Sequence, residues 1–328
     1  MKRFSTKHFW TPNSGFSPAM QARVHEAISD LGYRPQNAAR GMRGQTYTIG
    51  VMLSDLSNPF FPEIVEGITA ELRETDYQVL LGPGGVEPDS QARITEAMID
   101  RRMDGLILIS PEIPRTQLDG TARTVPTVVI GRHGKSAHHD SVVDDDTTGA
   151  ALIVDHLADL GHRRIAHIVH KESGRGRPTT MPHTVRAEGY RQAMRGRGLD
   201  DEITVVSTAY SEEGGYAGAR ELLSRPIRPT AIFAGADVAA IGVLKAIYEA
   251  GLTVPHDISV ASYDNTTLAA LDPISLTSVD QDGRLMGGNA ARLLLERIER
   301  RRERSVFFSV TPTLVTRRST AAPRSADR

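Results

Sequence analysis

From Thr48 onward, short and nearly continuous apolar runs alternate with longer stretches of helical spacing, and this alternation constrains the fold more than any other feature of the chain. The runs "TIGVML" (48–53), "YQVLL" (77–81), "GLILI" (105–109) and "TVVI" (127–130) lack the polar alternation of a half-exposed strand. They read as strands buried on both faces, the signature of a parallel sheet. Residues 62–75 and 89–102 between them have apolar positions three and four apart, as a helix lying on that sheet requires. "SVV" (141–143) precedes a helix over about 147–160 that Gly161 can terminate. The rhythm then restarts, with strands at about 164–169, 203–207, 231–234 and 259–263 and helices near 185–196, 214–224 and 237–250. Two comparable βα series predict an α/β fold of two doubly wound parallel-sheet lobes.

The last part of the chain is too short for a third lobe. "SLTSV" (275–279), a helix over 282–300, "SVFFSV" (305–310) and "LVT" (314–316) are therefore expected to complete the first two sheets. The chain would then cross between the lobes several times, and such a hinge generates a ligand cleft. The expected effector-binding core is 47–320, with lobe 1 at about 47–157 and 282–310 and lobe 2 at about 158–281 and 311–320. The polar segment from Arg317 onward, "RRSTAAPRSADR", reads as disordered, leaving 321–328 as a tail.

Residues 1–46 form a separate segment. Seven Lys and Arg against two acids give residues 1–54 a surplus of +5, whereas the remainder carries −6 within a net charge of −1. A basic end on an acidic body suits contact with a polyanion. Ser17 can cap a helix whose apolar face is Met20, Val24, Ile28 and Leu31, with Pro18 in its first turn and Gly32 after it. "PQNAARGMR" can start a second, short helix at Pro35. Helices below about 12–15 residues are marginal in water, so this one needs something to hold it. The chain contains no cysteine, which excludes disulfides and thiol chemistry. Its start lacks the apolar core of a secretory signal and no run approaches the ~18 apolar residues of a membrane span, so a cytoplasmic protein without membrane partners is expected.

"FSPAMQARVHEAISDLGYRPQNAARGMRG" followed by "TIGVMLSDLSNPFF" resembles the lactose-repressor/galactose-repressor family of bacterial transcription regulators. So do "FAGADVAAIGVLKAIYEAGLTVPHDISVASYDN", "LDPISLTSVDQD" and "LVTRRST", in the same order along nearly the whole chain. The resemblance implies a periplasmic-binding-protein-like core that forms a homodimer, takes a small effector between its lobes and controls pseudo-palindromic operator DNA through a hinge helix. On that basis Arg34, Asn37, Arg40 and Arg43 are DNA contacts. Met42 is the apolar wedge between base steps, where leucine is usual in the family, and such a wedge unstacks and bends the duplex. The family places a helix-turn-helix ahead of the helix starting at Ser17, yet only fifteen residues precede Phe16. The expectation is an incomplete base reader with weak, salt-sensitive and poorly selective DNA binding.

The resemblance likewise implies effector contacts. Phe60 and Phe61 would stack on the ligand, with core packing as the alternative. Asp144 would be a polar contact or part of a solvated "DDD" run. Arg186, opening the helix "VRAEGYRQAM", and Asp264 in "SYDN" are the charged contacts. Tyr210 reads equally as contact or packing, and Asp237 as contact or helix cap. An arginine and several acids facing aromatic rings suit a polyhydroxylated ligand such as a sugar. No Walker loop, zinc helix or dinucleotide fingerprint is present, so neither an enzyme nor a cofactor is expected. His133, His138 and His139 lack the partner spacing of a metal site and read as a solvated loop. The competing reading is a sugar-binding protein of transport type or one lacking a working DNA headpiece.

Overall fold

The structure, a computed structural model, describes residues 17–31, 44–171, 180–300 and 302–324. The expected DNA contacts Arg34, Asn37, Arg40, Met42 and Arg43 lie outside the described residues. Two compact units are present, 1–46 and 47–328. In the first, α1 (Pro18–Asp30) begins where the Ser17 hydroxyl accepts the N–H of Met20 at 3.3 Å, the expected cap.

The second unit holds two six-stranded sheets. The first contains β1 (Thr48–Leu53), β2 (Gln78–Pro83), β3 (Gly105–Ile109), β4 (Thr127–Ile130), β5 (Asp140–Asp144) and β11 (Phe307–Val310), in the order β11-β5-β4-β3-β1-β2. Its pairs are all parallel. The second contains β6 (Ile165–His170), β7 (Thr204–Thr208), β8 (Ala231–Ala234), β9 (Ser259–Tyr263), β10 (Thr277–Asp280) and β12 (Thr313–Val315), in the order β12-β10-β9-β8-β6-β7. Among the described residues only β12 runs antiparallel, against β10. Strands β1, β3, β4, β5, β8 and β9 are buried along their length, as continuous apolar runs between helical layers must be.

The helices are α2 (Phe60–Glu71), α3 (Pro88–Asp100), α4 (Arg115–Thr124), α5 (Asp146–Asp159), α6 (Pro182–Gly196), α7 (Glu212–Leu223), α8 (Asp237–Glu249), the single turn α9 (Thr267–Ala270) and α10 (Gly283–Arg300). Helix α4 has no counterpart in the sequence reading, because Leu118 is its one buried residue and its composition is otherwise that of a loop. Helices α2 and α10 pack at backbone distance. A Cβ on Gly67 would run into the Arg284 carbonyl, and one on Gly287 into that of Ile64, so both positions require glycine. Gly161 ends α5 with φ +99°, as expected of a left-handed C-terminal cap.

The chain passes between the lobes three times, from β5 to α5, from β10 to α10 and from β11 to β12. Beyond β12 the expectation of disorder from Arg317 fails. Arg317 donates to the Leu276 carbonyl and to Asn265 Oδ1, both at 2.7 Å, and the Ser319 hydroxyl donates to the Val260 carbonyl at 2.6 Å. The Ala321 carbonyl accepts from Ser259 Oγ at 3.0 Å. Polar side chains that bond backbone in lobe 2 give this segment its order, and composition alone does not reveal them. Among the described residues no helix is long and apolar enough to cross a membrane.

Candidate effector site

A cavity of about 160 Å³ lies between the lobes, walled by residues that follow the carboxyl ends of the strands. This is where open α/β sheets place ligands, because the loops diverge there. From lobe 1, Ser54, Asp55 and Asn58 follow β1, Phe60 and Phe61 begin α2, and Ser110 and Glu112 follow β3. Asn58 Oδ1 accepts the N–H of Phe60 at 3.0 Å and fixes the start of α2. The two phenyl rings lie 6.2 Å apart, tilted by 51°. Phe60 also belongs to the lobe 1 core, whereas Phe61 is half-buried and packs against that core.

Lobe 2 contributes His170 at the end of β6, His183 and Arg186 in the first turns of α6, Tyr210 after β7, Asp264 after β9 and Gln281 after β10. Helix α6 starts three residues earlier than the sequence indicated, with Pro182 at its first position, so Arg186 lies in its second turn. Tyr210 donates its backbone N–H to His170 Nδ1 at 3.1 Å, and the His170 and His183 rings meet at 5.0 Å nearly edge to face. Gln281 Nε2 donates to Asp264 Oδ1 at 2.7 Å. Asp264 Oδ2 and the Tyr210 hydroxyl are buried without a partner among the described residues. Asp264 has φ +108° and the following Asn265 φ +51°, a left-handed stretch held by the Asp264 N–H on the Val279 carbonyl and the Asn265 N–H on Ser278 Oγ. Backbone strain of about 1–3 kcal/mol per residue is typical of ligand-binding positions. Burial, with the charge of Asp237 behind it, raises the Asp264 carboxyl well above the usual carboxylate range.

Arg186 is fixed on several sides. Its Nε and Nη2 donate to Asp146 Oδ1 at 2.9 and 2.7 Å, and its Nη1 donates to the Gly235 carbonyl. The guanidinium carbon sits 3.5 Å from the centroid of the Tyr263 ring. Burial alone would lower its pKa, but Asp146 outweighs that and raises it. A guanidinium has five N–H groups, so those not bonded to Asp146 or Gly235 are left for a ligand.

Asp144 and Asp237, expected at the ligand, stand behind the cavity wall. Asp144 Oδ2 accepts the Tyr263 hydroxyl at 2.6 Å, and burial together with the charge of Asp146 pushes its pKa up to about 7. Asp237 accepts from Ser262 Oγ, Ser278 Oγ, and both the N–H and the hydroxyl of Thr266. It ties together the loops that carry Asp264, and its side chain caps neither end of α8. The histidines of the β4–β5 loop also separate. His133 bonds Asp146, His138 faces Arg123, and His139 is buried rather than solvated. His133, Asp144 and Asp146 carry donor types suited to a cation, but Arg186 already places its charge against Asp146. The strand-end rule, applied to "IAHIVH" and "TSVDQD", would have added His170 and Gln281 to the expected contacts.

Residues 154–320 match the periplasmic binding protein-like domain family. The ribose operon repressor of Escherichia coli (strain K12) is 34% identical over 307 residues, covering 92% of this chain and 91% of its own. Among solved structures, a LacI transcriptional regulator from a Rhodococcus species is 31% identical, covers 84% of this chain and 100% of its own, and has a TM-score of 0.77. A LacI family regulator from Enterococcus faecium with bound ribose is 28% identical over 84% of this chain and 100% of its own, with a TM-score of 0.74.

Proposed function

The chain belongs to the LacI family of transcriptional regulators, and from that premise we propose that it is a ligand-responsive repressor whose effector is a single sugar ring held in the interlobe cavity. The observation that carries this reading is the wall itself. Phe60 and Phe61 offer apolar faces from lobe 1, while Arg186, Asp264 and Gln281 offer polar groups from lobe 2. Rings cover the apolar face of a sugar, and mixed donors and acceptors meet its hydroxyls. A cavity of about 150 Å³ holds one benzene-sized ring, and the 160 Å³ here is of that scale. This favours a monosaccharide over a disaccharide. The polar groups argue against a strongly anionic effector, since Arg186 is already neutralised by Asp146 and three carboxyls, Asp55, Glu112 and Asp264, line the cavity beside His170 and His183. Bound ribose in the Enterococcus relative supports a pentose as the first candidate.

In this reading Phe60, Phe61, Arg186, Tyr210 and Asp264 touch the effector. Asp144 and Asp237 act by holding Tyr263 and the Asp264 loop. The repressor works as a homodimer on pseudo-palindromic operator DNA in the cytoplasm, with residues 1–46 as its DNA-binding segment and the two lobes as its sensor. A ligand that binds only the folded protein raises its melting temperature by mass action. A thermal-shift panel of D-ribose, other pentoses and hexoses, cellobiose and sugar phosphates tests the assignment. A monosaccharide is expected to give the largest shift. A response confined to the disaccharide or the phosphates would overturn it.

A further inference from the structure

The arginine of the site is linked to the opposite lobe through one carboxylate. Asp146, fully buried at the start of α5, gives Oδ1 to Arg186 and Oδ2 to Nε2 of His133, the latter at 2.7 Å. Each carboxylate oxygen thus has its own partner, which sets both the position and the plane of the group. His133 lies in the loop between β4 and β5, in lobe 1, whereas α5 packs on α6 of lobe 2. The loop makes a second interlobe bond, from the His133 N–H to the Thr180 carbonyl at 2.7 Å. Gly131 and Gly134, at φ +70° and +121°, let the loop lie flat here. A Cβ on Gly134 would touch Thr180, and one on Gly131 would touch both Ser110 and Pro182.

We propose that His133 is a positioning residue of the effector site: from lobe 1 it fixes Asp146, and through Asp146 the guanidinium of Arg186, so that lobe closure and arginine orientation are one event. The inference rests on Arg186 being an effector contact. It adds a residue from outside the cavity wall whose protonation sets how firmly that contact is held.

Among the described residues, the charged and titratable groups that face His133 are Asp146, Asp144 and Arg186. Burial and Arg186 disfavour the imidazolium, but the bond to Asp146 and the two carboxylates outweigh them and hold its pKa above the ordinary value of 6.5. Burial and Asp146 also push the Asp144 carboxyl up, to about 7, and its charge bears on His133, so the two protonations are linked. The sign follows from the direction of the His133 shift. The bridge is complete below the ordinary histidine value and weakens as pH rises through the raised one.

The test is nuclear magnetic resonance of the full chain labelled with ¹⁵N-arginine, without sugar, from pH 6 to 9, with the Arg186 Nε–H signal assigned from Arg186→Lys. In the wild type that signal is expected to shift, and its exchange with water to accelerate about tenfold or more beyond the intrinsic hydroxide-catalysed rise, over the range in which the His133 ring titrates. His133→Gln keeps an N–H donor without a titrating charge and should abolish the step. Asp144→Asn, which removes the other titrating group, should retain it. An Arg186 signal indifferent to His133 titration in the wild type, or the same pH profile in wild type and His133→Gln, overturns the proposal. D-ribose titrations at pH 6.5 and 8.5 give a second readout, with affinity falling at the higher pH in the wild type but not in His133→Gln. If the wild type binds no D-ribose, the titration is repeated with the monosaccharide giving the largest thermal shift; if no monosaccharide binds, the effector assignment fails, and the arginine signal still decides the role of His133.

Discussion

Replacing Asp140 by alanine should loosen the segment that returns from α10 to β11. This carboxylate is fully buried at the start of β5. It accepts from Arg297 Nε and Nη2 at 2.8 and 2.9 Å, from Arg302 Nη1 and Nη2 at 3.1 and 2.6 Å, and from the Val306 N–H at 2.6 Å. One side chain therefore fastens three points of the returning chain just where β11 pairs with β5. Removing one partner of a buried ion pair costs about 3–5 kcal/mol. Arg302 is 20% exposed and keeps Glu296, so it can turn toward water, whereas Arg297 at 9% cannot. That places the expected loss near the lower end, about 3 kcal/mol, or roughly a hundredfold increase in local opening. The only tryptophan, Trp10, lies outside the core segment, and a two-lobed chain need not unfold in one step. The suitable assay is hydrogen exchange by mass spectrometry on peptides spanning Asp140–Asp144 and Phe307–Val310. Burial pushes the Asp140 pKa up, but Arg297 and Arg302 outweigh it and hold the group below its ordinary value. Its stabilisation is therefore fully present above the unfolded carboxyl value, about 3.9, and is lost as pH falls through the folded one. The difference between wild type and variant should be the same at pH 7 and pH 5. Exchange within about threefold of wild type, or a difference that shrinks between those pH values, would refute the reasoning.

Asp264→Ala removes a charged or strongly polar partner and should weaken monosaccharide binding by about 10- to 150-fold, read by isothermal titration; unchanged affinity would move the site elsewhere. Gly287→Val should lower the melting temperature by several degrees, since overpacking costs about 1–3 kcal/mol and the added carbons meet the Ile64 carbonyl. Gly120→Ala, within α4 and with nothing within 4 Å of the new Cβ, should instead stabilise by about 0.5–1 kcal/mol, checked in the same melts. Sedimentation at micromolar concentration should show a dimer. Its affinity for promoter DNA should fall steeply with salt, and a flat salt dependence would argue against the basic segment as the contact.

Much of this molecule was legible because periodicity reports burial locally. Continuous apolar runs covered on both faces gave the strands, their βα rhythm and the two lobes, although the run 77–81 forms the edge strand β2 with Leu80 and Leu81 exposed, and the crossings followed from having too few elements for a third lobe. The family resemblance in turn pointed to Phe60, Phe61, Arg186, Tyr210 and Asp264, which the fold brings to one cavity. Helix α4 stayed hidden because it buries little, and the segment after β12 because its order comes from polar side chains that seek backbone in lobe 2. The sequence by itself thus determined what must be buried and roughly where a ligand would sit. Only the tertiary structure decided which carboxylates meet a ligand and which support it. Asp144, Asp146, Asp237 and Asp264 look alike in a sequence, and their roles depend on Tyr263, His133, Ser262 and Gln281, distant residues that folding sets beside them. A carboxylate is defined by the donors around it, and those are chosen by chain topology, not by the neighbouring residues along the chain.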